Sequence, residues 1–432
     1  MKFSLRRCPA SILALTAIVS WYVPSVATAR DPQQPWDIEQ LSQPPQVTWV
    51  NQSGPVRGLY FAGMPYHGKP TRVFAYYASP ATLAGKDPPA SPPENGGRAP
   101  SRSDGRPPAR QTKYPGVVLV HGGGGHAFSE WALLWAKRGY AAIAVDLVGC
   151  GPKGKRLEDG GPNNADDTTF NNVNEPQGDQ WPFHAVADVV LAHSLLRNLP
   201  DVDAERTAVT GISWGGYLTC IVAGVDPRFK AAVPVYGCGF LHENSYWGPR
   251  MLAAMKPEDR AKWVRLWDPS SHIGGAKMPM FFVNGTNDFA YPLDSYAKTY
   301  KLPQGPVNYR VTVNMPHGHP PGWAPAEIGL FVDQHLRGVD PLAVVFKPAV
   351  ADQKVSADVT TARALKSAAL NYTTDRGEFP KRRWITQPLT LDGKHISGPA
   401  APATAAVWFL TVTDDRGAVV SSELMFEAKR EK

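Results

Sequence analysis

The chain has 432 residues, 43% of them apolar and 10% aromatic, which exceeds one ordinary core and implies a large domain with a smaller companion. A formal charge of +7, spread without a dense basic block, excludes a nucleic-acid footprint. Of the four cysteines, Cys8 lies in the segment expected to be removed; Cys150, Cys220 and Cys238 remain, an odd number that leaves at least one thiol unpaired, and with Cys220 in an apolar run no disulfide framework is expected.

In chain order, Lys2, Arg6 and Arg7 precede an apolar run from Ala10 to Val23, and Ala27-Thr28-Ala29 then offers small residues. This pattern predicts a removed signal peptide over residues 1–29 and an exported, periplasmic or secreted, protein. The apolar run falls short of the roughly 20 residues that a spanning helix needs, and no later stretch reaches that length. Residues 30–339 read as one large domain. Val47–Val50, Leu59–Ala62 and Val73–Tyr77 predict an opening strand meander. The segment from Gly85 to Lys113 is dense in Pro, Gly, Ser and Arg and nearly free of large apolar residues, which predicts a disordered insertion.

From Pro115 onward, short apolar runs alternate with segments of helical spacing. Strands are predicted at Val117–Val120, Ala141–Val145, Thr207–Thr210, Ala231–Val235, Met280–Val283 and Tyr309–Val313, and helices at Ser129–Arg138, Ala185–Leu199, Trp214–Val225 and Ala324–Leu336. Near-continuous apolar strands alternating with helices predict an α/β fold, a mostly parallel sheet covered on both faces. Beyond Pro341 the period shifts to alternation. Val344–Lys347, Val355–Val359, Trp384–Leu391, Ala406–Thr413 and Ala418–Phe426 predict a small antiparallel β-sandwich over residues 340–432, with a structural role.

The chemistry concentrates at strand ends. Gly211-Ile212-Ser213-Trp214-Gly215-Gly216 follows a predicted strand and opens a predicted helix, the context in which G-x-S-x-G presents a nucleophile. A glycine loop, His121-Gly122-Gly123-Gly124-Gly125-His126, follows the strand Val117–Val120. Backbone N–H groups at Gly123, Gly124 and Trp214 are candidates for an oxyanion hole. The loop lacks the Lys-Ser/Thr of a phosphate cradle, and no thiolate or carboxylate cluster accompanies its histidines, so no metal or other cofactor is expected.

A serine hydroxyl needs a base and the base an orienting carboxylate, in the chain order serine, acid, histidine. Asp288 follows the strand Met280–Val283, and His317 and His319 follow Tyr309–Val313. Asp288 is the candidate acid. His317 is preferred as base because Gly318 follows it, but His319 stays open.

These motifs resemble the dienelactone-hydrolase and acetylxylan-esterase-like branch of the α/β-hydrolases, and more distantly the prolyl oligopeptidase catalytic domain. The resemblance rests on His121–Gly125, Gly211–Gly216, the run from Val283 to Pro292 and Met315–His319, and spans roughly Val73 to Leu336. It implies hydrolysis of small acyl groups, often acetyl, from esters. The insertion and the C-terminal strands depart from the pattern and leave substrate choice open.

Among 13 tryptophans, Trp181, Trp247 and Trp323 are the candidate pocket walls, whereas Trp131 and Trp135 share a helix face and read as packing. The polar stretch Gly151–Pro182 reads as a lid or substrate loop, its acids lacking calcium-loop spacing. The leading reading is a serine carboxylesterase acting on a small-molecule or polysaccharide ester. A serine exopeptidase and a non-catalytic glycan-binding protein are its rivals.

Overall fold

The computed structural model describes residues 34–86 and 113–427. The predicted signal peptide and residues 87–112 of the predicted insertion lie outside them.

The opening meander consists of β1 (Val47–Asn51), β2 (Arg57–Ala62) and β3 (Arg72–Ala78), paired antiparallel. The chain then enters the sheet centre as β4 (Tyr114–Val120) and crosses to β5 (Ala141–Val145), which lies between β3 and β4. From β4 the sheet grows by parallel neighbours: β6 (Val202–Ile212), β7 (Ala231–Val235), β8 (Met280–Gly285) and β9 (Val307–Thr312). All of β5, β7 and β8 is buried, as continuous apolar strands require when both faces are covered.

The covering helices pack in pairs. Helix α1 (Ser129–Lys137) is tied to α4 (Ala326–Arg337) through Arg138 and Asp333, at 2.6 Å. Helix α2 (Trp181–Asn198) packs on α3 (Trp214–Val225), and both reach β6 or its neighbours. The predicted parallel strands are present, each within a few residues of its expected bounds. No helix among the described residues is long and apolar enough to cross a membrane.

The C-terminal strands form two antiparallel layers. One contains β10 (Val344–Val345), β11 (Ala349–Ala351) and β12 (Lys354–Thr360). The other contains β13 (Leu365–Thr373). Next, β14 (Ile385–Asp392) passes between the layers, Ile385–Leu389 pairing with β13 and Thr390–Asp392 with β15 (His395–Pro399). β15 closes the first layer against β12. β16 (Val407–Asp414), β17 (Val419–Ser421) and β18 (Met425–Phe426) extend the second.

Two departures from the sequence pattern stand out. The single strand predicted over Ala418–Phe426 is broken, because Leu410 N–H donates to the Ser422 hydroxyl where a strand carbonyl would accept it, and Leu424 N–H donates to the Tyr300 hydroxyl. β17 also pairs with β9, Ser421 facing Tyr309, so the second layer continues the main sheet past its last parallel strand.

Candidate active site

β6 delivers Ser213 straight into α3, and the turn is tight. Ser213 has φ 59° and ψ −118°, a backbone state that L-residues rarely hold and that costs on the order of 1–3 kcal/mol. Two glycines make the turn sterically feasible: a Cβ on Gly211 would lie 2.2 Å from Gly215 O, and one on Gly215 would lie 2.0 Å from Val120 O. The Trp214, Gly215 and Gly216 N–H groups precede the first helical bond, which runs from Tyr217 N–H to Ser213 O. They point toward the strand ends without an intrahelical acceptor.

The loop after β9 brings His317 over this turn. Its Nε2 lies 2.9 Å from Ser213 Oγ and its Nδ1 2.6 Å from Asp288 Oδ2. The carboxylate accepts only, which calls for the proton on Nδ1 and leaves Nε2 to accept from the serine hydroxyl. Asp288 is buried, and its other oxygen accepts the N–H groups of Ala290 and Tyr291, each at 2.8 Å. The imidazole is clamped by stacking on Tyr236 at 4.4 Å between centroids and by the edge of Phe289 at 4.8 Å. Tyr236 is itself fixed by donating to Pro316 O.

His319 faces the glycine loop instead. Its Nε2 accepts the Gly122 N–H at 2.9 Å, so that nitrogen carries no proton. Burial, then the neighbouring His317 and His126, lower its pKa to about 4. On the other side of the loop, buried His121 accepts the Leu147 N–H on Nε2 and donates from Nδ1 to Gly122 O. Burial lowers its pKa to about 3, and the neutral ring stitches the loop to the end of β5. Sequence reasoning missed both tasks. The only signal was His121 at the head of a glycine run; no local pattern marked His319 for the loop.

Gly123 lies against Trp214, a Cβ on it falling 2.8 Å from the indole Cδ1. Gly124 has φ +67°, which suits glycine. Gly125 N–H closes the turn onto Gly122 O.

The three candidate wall tryptophans divide. Trp247 is partly exposed and packs on Trp214 at 4.4 Å and on Tyr291 at 5.3 Å. Trp181 is buried, its N–H donated to Leu147 O at 2.7 Å, and it supports Trp214 from behind. Trp323 lies beside Phe128, Trp131 and His319, backing the histidine that holds the loop. Within the expected lid, Phe170 is buried against Trp263 and Trp214, so this part of Gly151–Pro182 is anchored.

Cys150, Cys220 and Cys238 are free thiols. Among the described residues no group of three or more His, Cys, Asp or Glu side chains is arranged to hold a metal ion.

The chain matches the Prolyl oligopeptidase family over residues 178–328 and the Acetyl xylan esterase (AXE1) family over residues 102–244. It is 26% identical over 198 residues to an uncharacterized peptidase of Bacillus subtilis, covering 43% of this chain and 27% of that protein. It is 24% identical over 217 residues to an acetyl esterase of Xylanibacter ruminicola, covering 48% of this chain and 49% of that one. It thus spans only a quarter to a half of the length of these relatives. An acetyl xylan esterase from Paenibacillus sp. R4 superimposes with a TM-score of 0.52 at 20% identity, over 73% of this chain and 98% of that one, a likeness of fold. A parallel sheet entered through an antiparallel meander, a serine at the β6–α3 turn and these matches make the chain a member of the α/β-hydrolase superfamily, similar over parts of its length to the acetyl xylan esterase and prolyl oligopeptidase families.

Proposed function

We propose that the protein is an exported serine carboxylic-ester hydrolase that removes acetyl or other small acyl groups from carbohydrate or related esters. The observation that carries this reading is the hydrogen-bond chain from Asp288 through His317 to Ser213, with the serine held at positive φ above a helix N-terminus. In the reaction Ser213 Oγ bonds to the acyl carbon while its proton passes to His317 Nε2. The imidazolium, held by Asp288, then returns the proton to the departing alcohol oxygen as the C–O bond breaks. Water repeats the sequence on the acyl-serine and releases the acid. The N–H groups of Trp214, Gly123 and Gly124 receive the oxyanion. The bonds from Gly122 to His319 and from Gly125 to Gly122 O leave those of Gly123 and Gly124 to a ligand.

Acyl size and the sugar-ester class draw support from the acetyl xylan esterase match and the acetyl esterase relative. A second reading, a serine exopeptidase, is favoured by the match over residues 178–328 and the peptidase relative. Turnover of p-nitrophenyl acetate, acetylated polysaccharide and an aminoacyl-nitroanilide separates the two. The esterase reading expects acetate release and a loss of about 10³-fold or more in Ser213→Ala. Nitroanilide turnover above ester turnover moves the assignment to the peptidase. A Ser213→Ala protein retaining a tenth of the rate removes the serine mechanism, and glycan binding without hydrolysis leaves a binding protein.

A further inference from the structure

The chain leaves β7 through a strained turn that touches three parts of the site. Tyr236 has φ 64°, and the Gly237 N–H donates to Val235 O at 2.8 Å across it, which makes Val235–Gly237 a three-residue turn of the rare kind. The bulky residue takes the strained position although a glycine follows it. Val235 O also accepts the Ser213 N–H at 2.9 Å, and the Tyr236 N–H donates to Val283 O at 2.8 Å. The turn is thereby tied to the nucleophile on one side and to the strand before Asp288 on the other. The side chain is held as closely. Fully buried, its ring stacks on His317 with 4.4 Å between centroids and 29° between planes, and its hydroxyl donates to Pro316 O at 2.8 Å. The ring also meets the short helix His319–Trp323, where a Cβ on Gly322 would lie 3.1 Å from Tyr236 Cε2. Burial, then Asp288, hold the phenol above its ordinary value, so it stays neutral and donates.

Backbone strain persists only where the surroundings over-determine it, and here the bonds and the stack of the strained residue lead to Ser213, His317 and the strand before Asp288. The turn fixes where the ring starts, and the ring fixes where the imidazole lies. Resting on the esterase reading, we propose that Tyr236 is a positioning residue for the proton transfer: its ring holds the His317 imidazole in line between Asp288 and Ser213 Oγ, and its electron-rich face lies against the imidazolium as that forms. No proton passes through Tyr236, and no bond to the substrate forms there. A ring at 4.4 Å lies within the range at which a π face attracts a cation, and that attraction grows only when the proton arrives from the serine. Such a residue acts on the transition state more than on the bound ester.

Tyr236→Leu removes the ring face, and Tyr236→Phe keeps it. With p-nitrophenyl acetate, Tyr236→Leu should lower kcat roughly 10- to 100-fold with little change in KM, while Tyr236→Phe keeps about a third or more of the rate. In a His317→Ala background, adding Tyr236→Leu should cost less than about 2-fold, because the group it positions is gone. Equal losses in the Phe and Leu variants would place the role on the hydroxyl. A further loss in the double variant as large as that in Tyr236→Leu alone would make the residue a general support of the fold. Either result overturns the proposal, as does a wild-type kcat in Tyr236→Leu. If Tyr236→Leu does not fold, Tyr236→Gly, which suits the positive φ, takes its place in both comparisons. If Ser213→Ala or His317→Ala is itself active at the wild-type rate, the failure lies in the esterase reading and not at Tyr236.

Discussion

His317 and His319 stand two residues apart, yet their rings face different partners because the backbone turns between them. β9 ends at Thr312, and Asn314 at φ 56° turns the chain out of the sheet. The short helix His319–Trp323 then begins at the second histidine and directs it back onto Gly122. The sequence located both residues at a strand end, and Gly318 pointed to His317. Which ring reaches Ser213 depends on those dihedral angles, and no local pattern encodes them. His317→Ala should lower kcat by about 10³-fold or more. His319→Ala should cost about 10-fold, by freeing the loop that carries Gly123, and His319→Gln should recover part of this by again offering an acceptor. The pH dependence has a definite sign. His319 is depressed from 6.5 to about 4, so the stability it contributes is complete above the unfolded value and is lost as pH falls through the folded one. His319→Ala should therefore flatten the fall of the melting temperature between pH 6.5 and 4. Equal kcat losses at the two positions, or an unchanged pH profile, would remove this division of labour.

At the scale of elements, the acid loop is held from an unexpected direction. Asn287 Nδ2 lies within donor range of the Phe379, Pro380 and Arg382 carbonyls, at 3.4, 3.1 and 2.8 Å, in the connector between β13 and β14. That connector and the loop border an open cavity of about 620 Å³ lined by Tyr246, Arg250, Asp288, Phe289, Glu378 and Phe379. Phe289 is half exposed and touches His317 with its edge, so the cavity adjoins the catalytic base of the proposed mechanism. Asn287→Ala should raise KM several-fold for an acetylated oligosaccharide while changing p-nitrophenyl acetate turnover little. The same KM for both proteins on the large ester would exclude the connector from substrate binding. The sequence could not announce this contact. β13 reads Leu-Lys-Ser-Ala-Ala-Leu-Asn-Tyr-Thr, too mixed in size to signal a strand enclosed by β14 and β16. β15 carries Gly398 near its end and was missed for a similar reason. The parallel strands were legible because burial on both faces demands continuous apolar runs, which a single sequence displays directly.

For the whole molecule, the decisive question is whether residues 340–427 are an appendage or part of the hydrolase core. The alternation of apolar residues marked them off as a separate sandwich, but it could not reveal what they pair with. Ser421 faces Tyr309 across the β9–β17 pairing, and its Oγ accepts the Val311 N–H at 2.9 Å. Val419 N–H donates to Glu327, a buried carboxylate on α4 that also pairs with Arg310. Asn308 on β9 donates to Ala343 O at 2.9 Å, and Leu424 N–H to the Tyr300 hydroxyl at 2.8 Å. Each bond crosses from the parallel sheet or its helices to the C-terminal strands, and most of the partners are buried. Ending the chain after Val339 would expose the β9 edge and take the Val419 N–H from buried Glu327, leaving Arg310 as its partner and one carboxylate oxygen without its donor. The truncated protein should therefore be aggregated or unfolded on expression, losing far more stability than a dispensable module would account for. Sedimentation and thermal unfolding of the truncated and full chains decide the matter. A soluble monomer that melts close to the full chain and hydrolyses p-nitrophenyl acetate at its rate would show that the C-terminal strands are a separable module after all.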